Sequence, residues 1–273
     1  MKKLMMGAVL AVLAVGCSTD KIHEWMRADP VKLTGFLPGN ERLVRRAATF
    51  PFHYTWMNTN AVLKAHFKNV YIAPFDVSYL RKGKEYDKMK DKAMNGYDQM
   101  RDALVNLDSA IDELGDYGRK ALVQAFKARE KETMLKVVED PSLPNTMILE
   151  FAITAFVPTR AEIEIVGEVG GFFCPIPGVG LVADYLAAGS LAVECRARDS
   201  VTKDVVAMFA DTEGEPSALL QFSKYTYTSS AKINLKRIAA QTVEACIVED
   251  ASQLRRPFPF GFIALPWESD LND

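Results

Sequence analysis

The sequence predicts an α+β domain built on a mixed, largely antiparallel sheet covered by helices. Three observations carry this. Residues 147–157 and 191–198 alternate in the two-residue period of strands. Residues 93–114 and 228–247 carry apolar stripes at the three-four spacing of helices. The strands fall in one run with helices on either side, the order of an α+β chain and not of alternating βα units. The composition agrees with a packed domain, at 49% apolar and 25% charged residues in 273. A formal net charge of -2 argues against a nucleic-acid binder that relies on a basic field.

The chain opens with a leader. Lys2 and Lys3 form a positive start, Leu4 to Val15 an apolar stretch broken only by Gly7, and Gly16-Cys17 precede the polar Ser18-Thr19-Asp20. This is the layout of a bacterial export signal. Twelve helical residues cover about 18 Å, short of a hydrocarbon core about 30 Å thick, so a permanent span is not expected. Leu13-Ala14-Val15-Gly16-Cys17 resembles the lipobox of bacterial lipoproteins, although Ala14 stands where leucine is usual. The resemblance implies cleavage between Gly16 and Cys17, a diacylglycerol on the Cys17 sulfur and a further acyl chain on its amine. Several chains on one residue hold a protein at a membrane, where one chain binds only reversibly. Ser18, standing where aspartate would resemble an inner-membrane retention signal, favours the periplasmic face of the outer membrane.

Removal of residues 1–16 from the 273 leaves 257, enough for a core without staples. Residues 17–50 contain Asp29-Pro30, Leu37-Pro38-Gly39-Asn40 and Phe50-Pro51, breaker signals without a steady period. They read as a tether whose Trp25, Met26, Phe36 and Leu37 pack back on the domain of residues 51–250. Val70 to Phe75 is β-branched and aromatic, a first strand ended or placed at an edge by Pro74. Residues 81–92 are charged and read as a solvated helix entrance, with contact to anionic lipid or cell-wall polymer as the sharper alternative. Met94, Tyr97, Met100, Ala103, Leu104, Leu107, Ile111 and Leu114 mark one helix, with Gly115 as its stop. A second helix is expected over 117–131, and a short strand over Met134 to Val138. In the strand from Met147 to Val157, Leu149, Phe151, Ile153 and Ala155 share a face. Leu191, Val193, Cys195 and Ala197 predict a core face, and Glu194, Arg196 and Arg198 a wet one. Asp199 to Lys203 reads as a hairpin turn before a returning strand from Val205 to Ala210. Leu235, Ile238, Ala239, Thr242 and Cys246 share the inner face of the closing helix. Residues 251–273, rich in proline and phenylalanine, read as a strap over an apolar surface.

Val70-Tyr71-Ile72-Ala73-Pro74, Pro144-Asn145-Thr146-Met147-Ile148-Leu149 with Ala152-Ile153-Thr154 and Val157-Pro158-Thr159, Gly189-Ser190-Leu191-Ala192-Val193-Glu194 with Arg198-Asp199-Ser200, and Met208-Phe209-Ala210-Asp211-Thr212-Glu213 follow one another in this order. Together, behind a lipobox, they resemble the bacterial lipoprotein family called domain of unknown function 3313, over residues 34–248. That family often carries a Trp-Tyr-Gly-His-like patch before its closing helix, whereas Tyr225-Thr226-Tyr227-Thr228-Ser229-Ser230 stands here without histidine. The resemblance implies an architecture and an envelope location. It implies no reaction and no catalytic residues.

The candidate chemistry is sparse. His23, His53 and His66 lie away from any nucleophile elbow, and no His-Glu-x-x-His occurs, so they read as surface or packed side chains. Gly178, Gly180 and Ala183 match a dinucleotide fingerprint only in spacing, because Pro175-Ile176-Pro177 blocks the strand that motif requires. Asp199, Asp204, Asp211, Glu213 and Glu215 surround one hairpin. They read as turn caps and solvated strand ends; a paired-carboxylate or calcium site is the sharper alternative. Cys195 and Cys246 face inward on strand and helix and suit either a disulfide or two reduced core thiols, with Cys174 left over. Residues 166–188 form a long apolar connection, with Phe172, Phe173, Ile176, Leu181 and Tyr185 as candidate contact residues for a partner. The bland alternative is a loop folded back as a core plug.

The expectation is a lipid-anchored envelope protein with a non-catalytic interaction or assembly role toward an envelope protein partner, using no cofactor or metal. The alternatives are an enzyme acting on envelope carbohydrate through the hairpin carboxylates, and an oligomer that inserts residues 166–188 into a membrane.

Overall fold

The computed structural model describes residues 27, 30, 32–82, 86–87, 90–91, 94–95, 98–156, 190–214, 217–221, 228–248, 250–257 and 260–264. The central sheet has seven strands. In chain order these are β1 (Val44–Arg45), β2 (Tyr54–Met57), β3 (Asn69–Ile72), β4 (Lys136–Val137), β5 (Thr146–Phe156), β6 (Leu191–Asp199) and β7 (Val205–Glu213). They lie in the order β1-β2-β7-β6-β5-β3-β4. Among the described strands of this sheet only β3 pairs in parallel, with β4 and β5, so the sheet is mixed and largely antiparallel as expected. The helices α1 (Thr59–Ala65), α2 (Asp98–Ala128), α3 (Glu130–Thr133) and α4 (Ser229–Ile247) accompany it. β8 (Ser217–Gln221) and β9 (Phe260–Ala264) form a separate parallel pair. The proline-aromatic tail therefore includes a strand, with Phe260-Gly261-Phe262-Ile263 supplying the residues a strand favours.

The main core lies between one face of the sheet and helices α2 and α4. Leu149, Phe151 and Ile153 of β5 and Val193 and Cys195 of β6 meet Leu107, Ile111, Leu114 and Leu122 of α2 and Leu235, Ile238 and Val243 of α4. The hairpin between β6 and β7 turns at the expected place. Asp199 Oδ1 accepts from the amides of Val201 and Thr202, at 2.7 and 2.9 Å, and Lys203 adopts the left-handed conformation.

Two expectations about the helices fail. Met94 is 70% exposed and lies before α2, so the buried stripe starts further along, with Leu107. Gly115 does not stop the first helix; α2 runs through both Gly115 and Gly118 to Ala128. A Cβ on Gly118 would lie 2.5 Å from the Phe75 ring, and one on Gly115 2.9 Å from Val77. Phe75 is itself stacked on Phe151, ring centroids 4.9 Å apart. The two glycines thus serve close packing of the helix against the chain that leaves β3, at the expense of helix propensity.

A third expectation fails on β6. Glu194, predicted to face water, is 2% exposed. The opposite face of the sheet is covered by the segment before β1. Phe36 and Leu37 pack there on Ala152, Met208 and Ala210. Glu194 Oε1 accepts from the Thr34 amide at 2.6 Å, and Arg196 donates to the Phe36 carbonyl at 2.9 Å with its guanidinium 4.4 Å from the Phe36 ring. Phe36 and Leu37 of the tether therefore pack back, on the face that alternation alone assigns to solvent, while Trp25 and Met26 lie outside the described residues.

Candidate functional site

The antiparallel period places Ala207, Phe209, Asp211 and Glu213 of β7 on one side, opposite Val193 and Leu191 of β6 at its far end. Two carboxylates thus enter a region where neighbouring positions are apolar. Three basic groups from outside the sheet meet them. His53 comes from the turn before β2, Arg27 from the tether and Arg256 from the chain after α4. Arg27 Nη2 lies 3.1 Å from Asp211 Oδ1, and the His53 amide donates to the same oxygen at 3.1 Å. His53 Nδ1 lies 2.6 Å from it. Arg256 Nη2 donates to Glu213 Oε2, and its Nη1 stands 3.8 Å from Asp211 Oδ2. All five side chains are buried, with Asp211 at 0% exposure and Arg256, the most exposed, at 7%.

The arginines also clamp the backbone between them. Arg27 donates to the carbonyls of Ala47, Ala48 and Pro51, at 3.1, 3.3 and 3.4 Å. Arg256 donates to the Pro51 carbonyl from its side chain and to the Thr49 carbonyl from its amide, the latter at 2.7 Å. The turn at residues 47–51 is held from both chain ends.

Burial works to raise every carboxyl here. At Asp211 the hydrogen bond from His53 and the charges of Arg256, His53 and Arg27 outweigh it and hold the carboxyl at about 2. At Glu213 burial wins; with the neighbouring Asp211 charge it pushes the carboxyl up to about 7 against the pull of Arg256. Burial lowers the His53 imidazole despite its carboxylate partner, so at neutral pH the ring is neutral. A small cavity beside the cluster is lined by Pro30, Leu33, His53, Tyr54, Glu194 and Asp211 among others. Its volume of about 10 Å³ gives room for about one water and none for a sugar or peptide.

The sequence-predicted residues divide as follows. Asp211 and Glu213 come together, buried and ion-paired, which corrects the reading of them as solvated strand ends. Asp199 caps its turn as expected, Asp204 is exposed, and Glu215 lies outside the described residues. Cys195 and Cys246 are free thiols in the same core. Burial pushes Cys246 up to about 12 and Cys195 well above the ordinary thiol range, which suits inert core residues. Gly16, Cys17, Cys174, the Gly178 to Ala183 stretch, and Phe172, Phe173, Ile176, Leu181 and Tyr185 lie outside the described residues. No group of metal-ligating side chains occurs among the described residues, and no described helix is long and apolar enough to cross a membrane. Arg27, His53 and Arg256 were not legible as partners, being 184, 158 and 43 residues from the carboxylates they meet. The signal available was parity on β7: Asp211 and Glu213 continue the series of Ala207 and Phe209, whose face is the core.

The sequence matches the family described as Protein of unknown function (DUF3313) over residues 33–241, more than half of the chain. The chain belongs to this family. His53, Glu194, Asp211 and Glu213 lie within the stretch that DUF3313 covers, and Arg27 and Arg256 outside it. No curated protein matches the DUF3313 chain. Among solved structures it is similar to the PelC dodecamer from Paraburkholderia phytofirmans, at 9% identity and a TM-score of 0.30, over 68% of this chain and 91% of that one. A likeness this slight carries no argument about function or assembly.

Proposed function

We propose that this DUF3313 chain is an envelope lipoprotein, anchored through Cys17 at the periplasmic face of the outer membrane, whose domain is a non-catalytic interaction or assembly module. The observation that carries the non-catalytic part is the state of its carboxylate pair. Asp211 and Glu213 are committed to Arg256, Arg27 and His53, are sealed from solvent, and adjoin a space of about one water. A glycoside-cleaving pair needs an open cleft with a sugar between the two carboxyl groups. The Asp211 and Glu213 carboxyls do titrate far apart, as acid-base pairs do. Here the separation has a structural cause, since one carboxylate serves as hub for two arginines and the other is crowded by it. The leader and Gly16-Cys17 support the anchor.

The test is mass spectrometry of the native protein from the membrane fraction, together with photocrosslinking in intact cells. The expected results are acyl mass on Cys17, lost in Cys17→Ser, and capture of a discrete envelope protein that weakens when residues 166–188 are deleted. A native protein without acyl mass in the soluble envelope fraction refutes the anchor. Loss of an envelope polysaccharide-cleaving activity in a folded Asp211→Asn chain refutes the non-catalytic reading.

A further inference from the structure

On the helical side of the domain arginines sit beside carboxylates, as Arg81 does with Asp108 and Asp112, and Arg129 with Glu132 and Glu244. Arg42, Arg45, Arg46 and Arg255 differ. All four are exposed, and among the described residues none forms an ion pair with a carboxylate. They flank one place. Arg42 ends the turn before β1, and Arg45 lies on β1, an edge strand among the described strands of the sheet. The Arg46 amide donates to the His53 carbonyl at 2.8 Å, and Arg255 adjoins Arg256, whose amide holds Thr49. Two of them are held in place without being neutralised: Arg42 lies 5.5 Å over the Trp56 ring, and Arg46 5.4 Å over Phe50 with a hydrogen bond to Thr55. Val44, between Arg42 and Arg45, is 54% exposed. The anions nearby in sequence are Glu41, Glu249, which lies outside the described residues, and Asp250, which is occupied by the Ser252 amide and hydroxyl.

The length of the tether gives this cationic edge a direction. Arg27 is docked on the turn at residues 47–51, directly after β1. Arg27 lies ten peptide steps from Cys17, a separation of at most about 35 Å. The β1 edge is therefore the part of the domain tied closest to the anchor. We propose that the edge bearing Arg42, Arg45 and Arg46 docks on anionic phospholipid headgroups of the leaflet that holds Cys17, with Arg255 beside it and Val44 at the headgroup boundary. Guanidinium groups suit phosphate through paired hydrogen bonds, and a basic side chain near an anionic leaflet gains roughly fivefold in affinity. This inference rests on the lipid anchor only for the direction of the edge, and its test separates the two.

The lipidated native protein is placed in vesicles of phosphatidylglycerol and phosphatidylethanolamine, and separately in phosphatidylcholine, and treated with phenylglyoxal. Labelling of each arginine is followed by mass spectrometry. Arg42, Arg45 and Arg46 should react about fivefold more slowly in the anionic vesicles, with high salt abolishing the difference, and Arg119 on α2 should react equally in both. Equal rates at Arg42, Arg45 and Arg46 with acyl mass present on Cys17 overturn the docking and leave the anchor standing. Protection by added cell-wall sacculi and not by anionic vesicles also overturns it. Protein lacking acyl mass that still pellets with anionic vesicles, salt-sensitively and only with Arg42, Arg45 and Arg46 intact, removes the anchor and keeps the docking.

Discussion

Asparagine at position 211 keeps the side-chain shape and removes one negative charge from the middle of the clasp. In the native protein Asp211 Oδ1 serves Arg27, the His53 amide and the His53 ring, and Oδ2 faces Arg256. The Asp211→Asn chain retains both buried guanidinium groups with Glu213 as their remaining acid. Removing one partner of a buried ion pair costs about 3–5 kcal/mol, because the other charge is left without compensation. A second route gives a smaller figure. Holding a carboxyl at about 2 in place of its usual 3.8 amounts to about 2 kcal/mol of stability at neutral pH. The first exceeds the second because it includes the stranded arginines. A loss of about 3 kcal/mol lowers the melting temperature of a domain this size by roughly 6–12 °C. The sign with pH is fixed as well: a depressed carboxyl stabilises above its unfolded pKa, and that stability drains as pH falls from about 4 toward 2. Urea unfolding of the Asp211→Asn and parent chains should show a gap at pH 7 that closes over that acid range. Trypsin should also cut after Arg27 faster in the variant, since the tether is freed. A gap below about 1 kcal/mol at pH 7, or trypsin cleavage unchanged, refutes the claim that this cluster holds the tether.

Two further predictions concern the neighbours of that site. Glu213, held at about 7, stabilises while protonated, fully below its unfolded value near 4.5 and progressively less as pH rises to 7. Glu213→Gln should therefore gain about 3 kcal/mol relative to the parent between pH 4.5 and 7.5 in urea melts; an offset constant with pH contradicts this. Gly118→Ala should lower stability by about 1–2 kcal/mol although alanine favours helices, since the Phe75 ring in its way is stacked on Phe151; a stabilised variant contradicts the close approach.

The strands and the closing helix were readable because each obeys a single local period. Leu149, Phe151 and Ile153 alternate cleanly, Asp199 to Lys203 has the side chains a turn requires, and α4 shows its stripe from Leu235 to Val243. The failures share one cause, a residue answering to a distant neighbour. Gly115 looks like a helix stop until Val77 and Phe75 are set against it. Glu194 looks solvated until Thr34, 160 residues away, crosses it. Asp211 and Glu213 have the composition of a strand end, and only the arrival of Arg27 and Arg256 gives them partners in the interior.

The same distance explains why the clasp matters mechanically to an anchored chain. Tension applied at Cys17 passes first to Arg27, and from there through Asp211 into β7, a strand paired on both sides, between β2 and β6. Behind it stands a second attachment, the Thr34 amide on Glu194 with Phe36 and Leu37 seated on the sheet. Arg27 lies ten peptide steps from Cys17 and Thr34 seventeen, so the greatest possible reach from Cys17 to the first attachment is about 35 Å, and with that attachment broken about 60 Å. In a chain anchored at Cys17 as proposed, the buried charges would set how far the domain can stand from its leaflet. An Asp211→Asn chain that stays anchored and folded should photocrosslink to envelope partners farther from the membrane than the parent reaches.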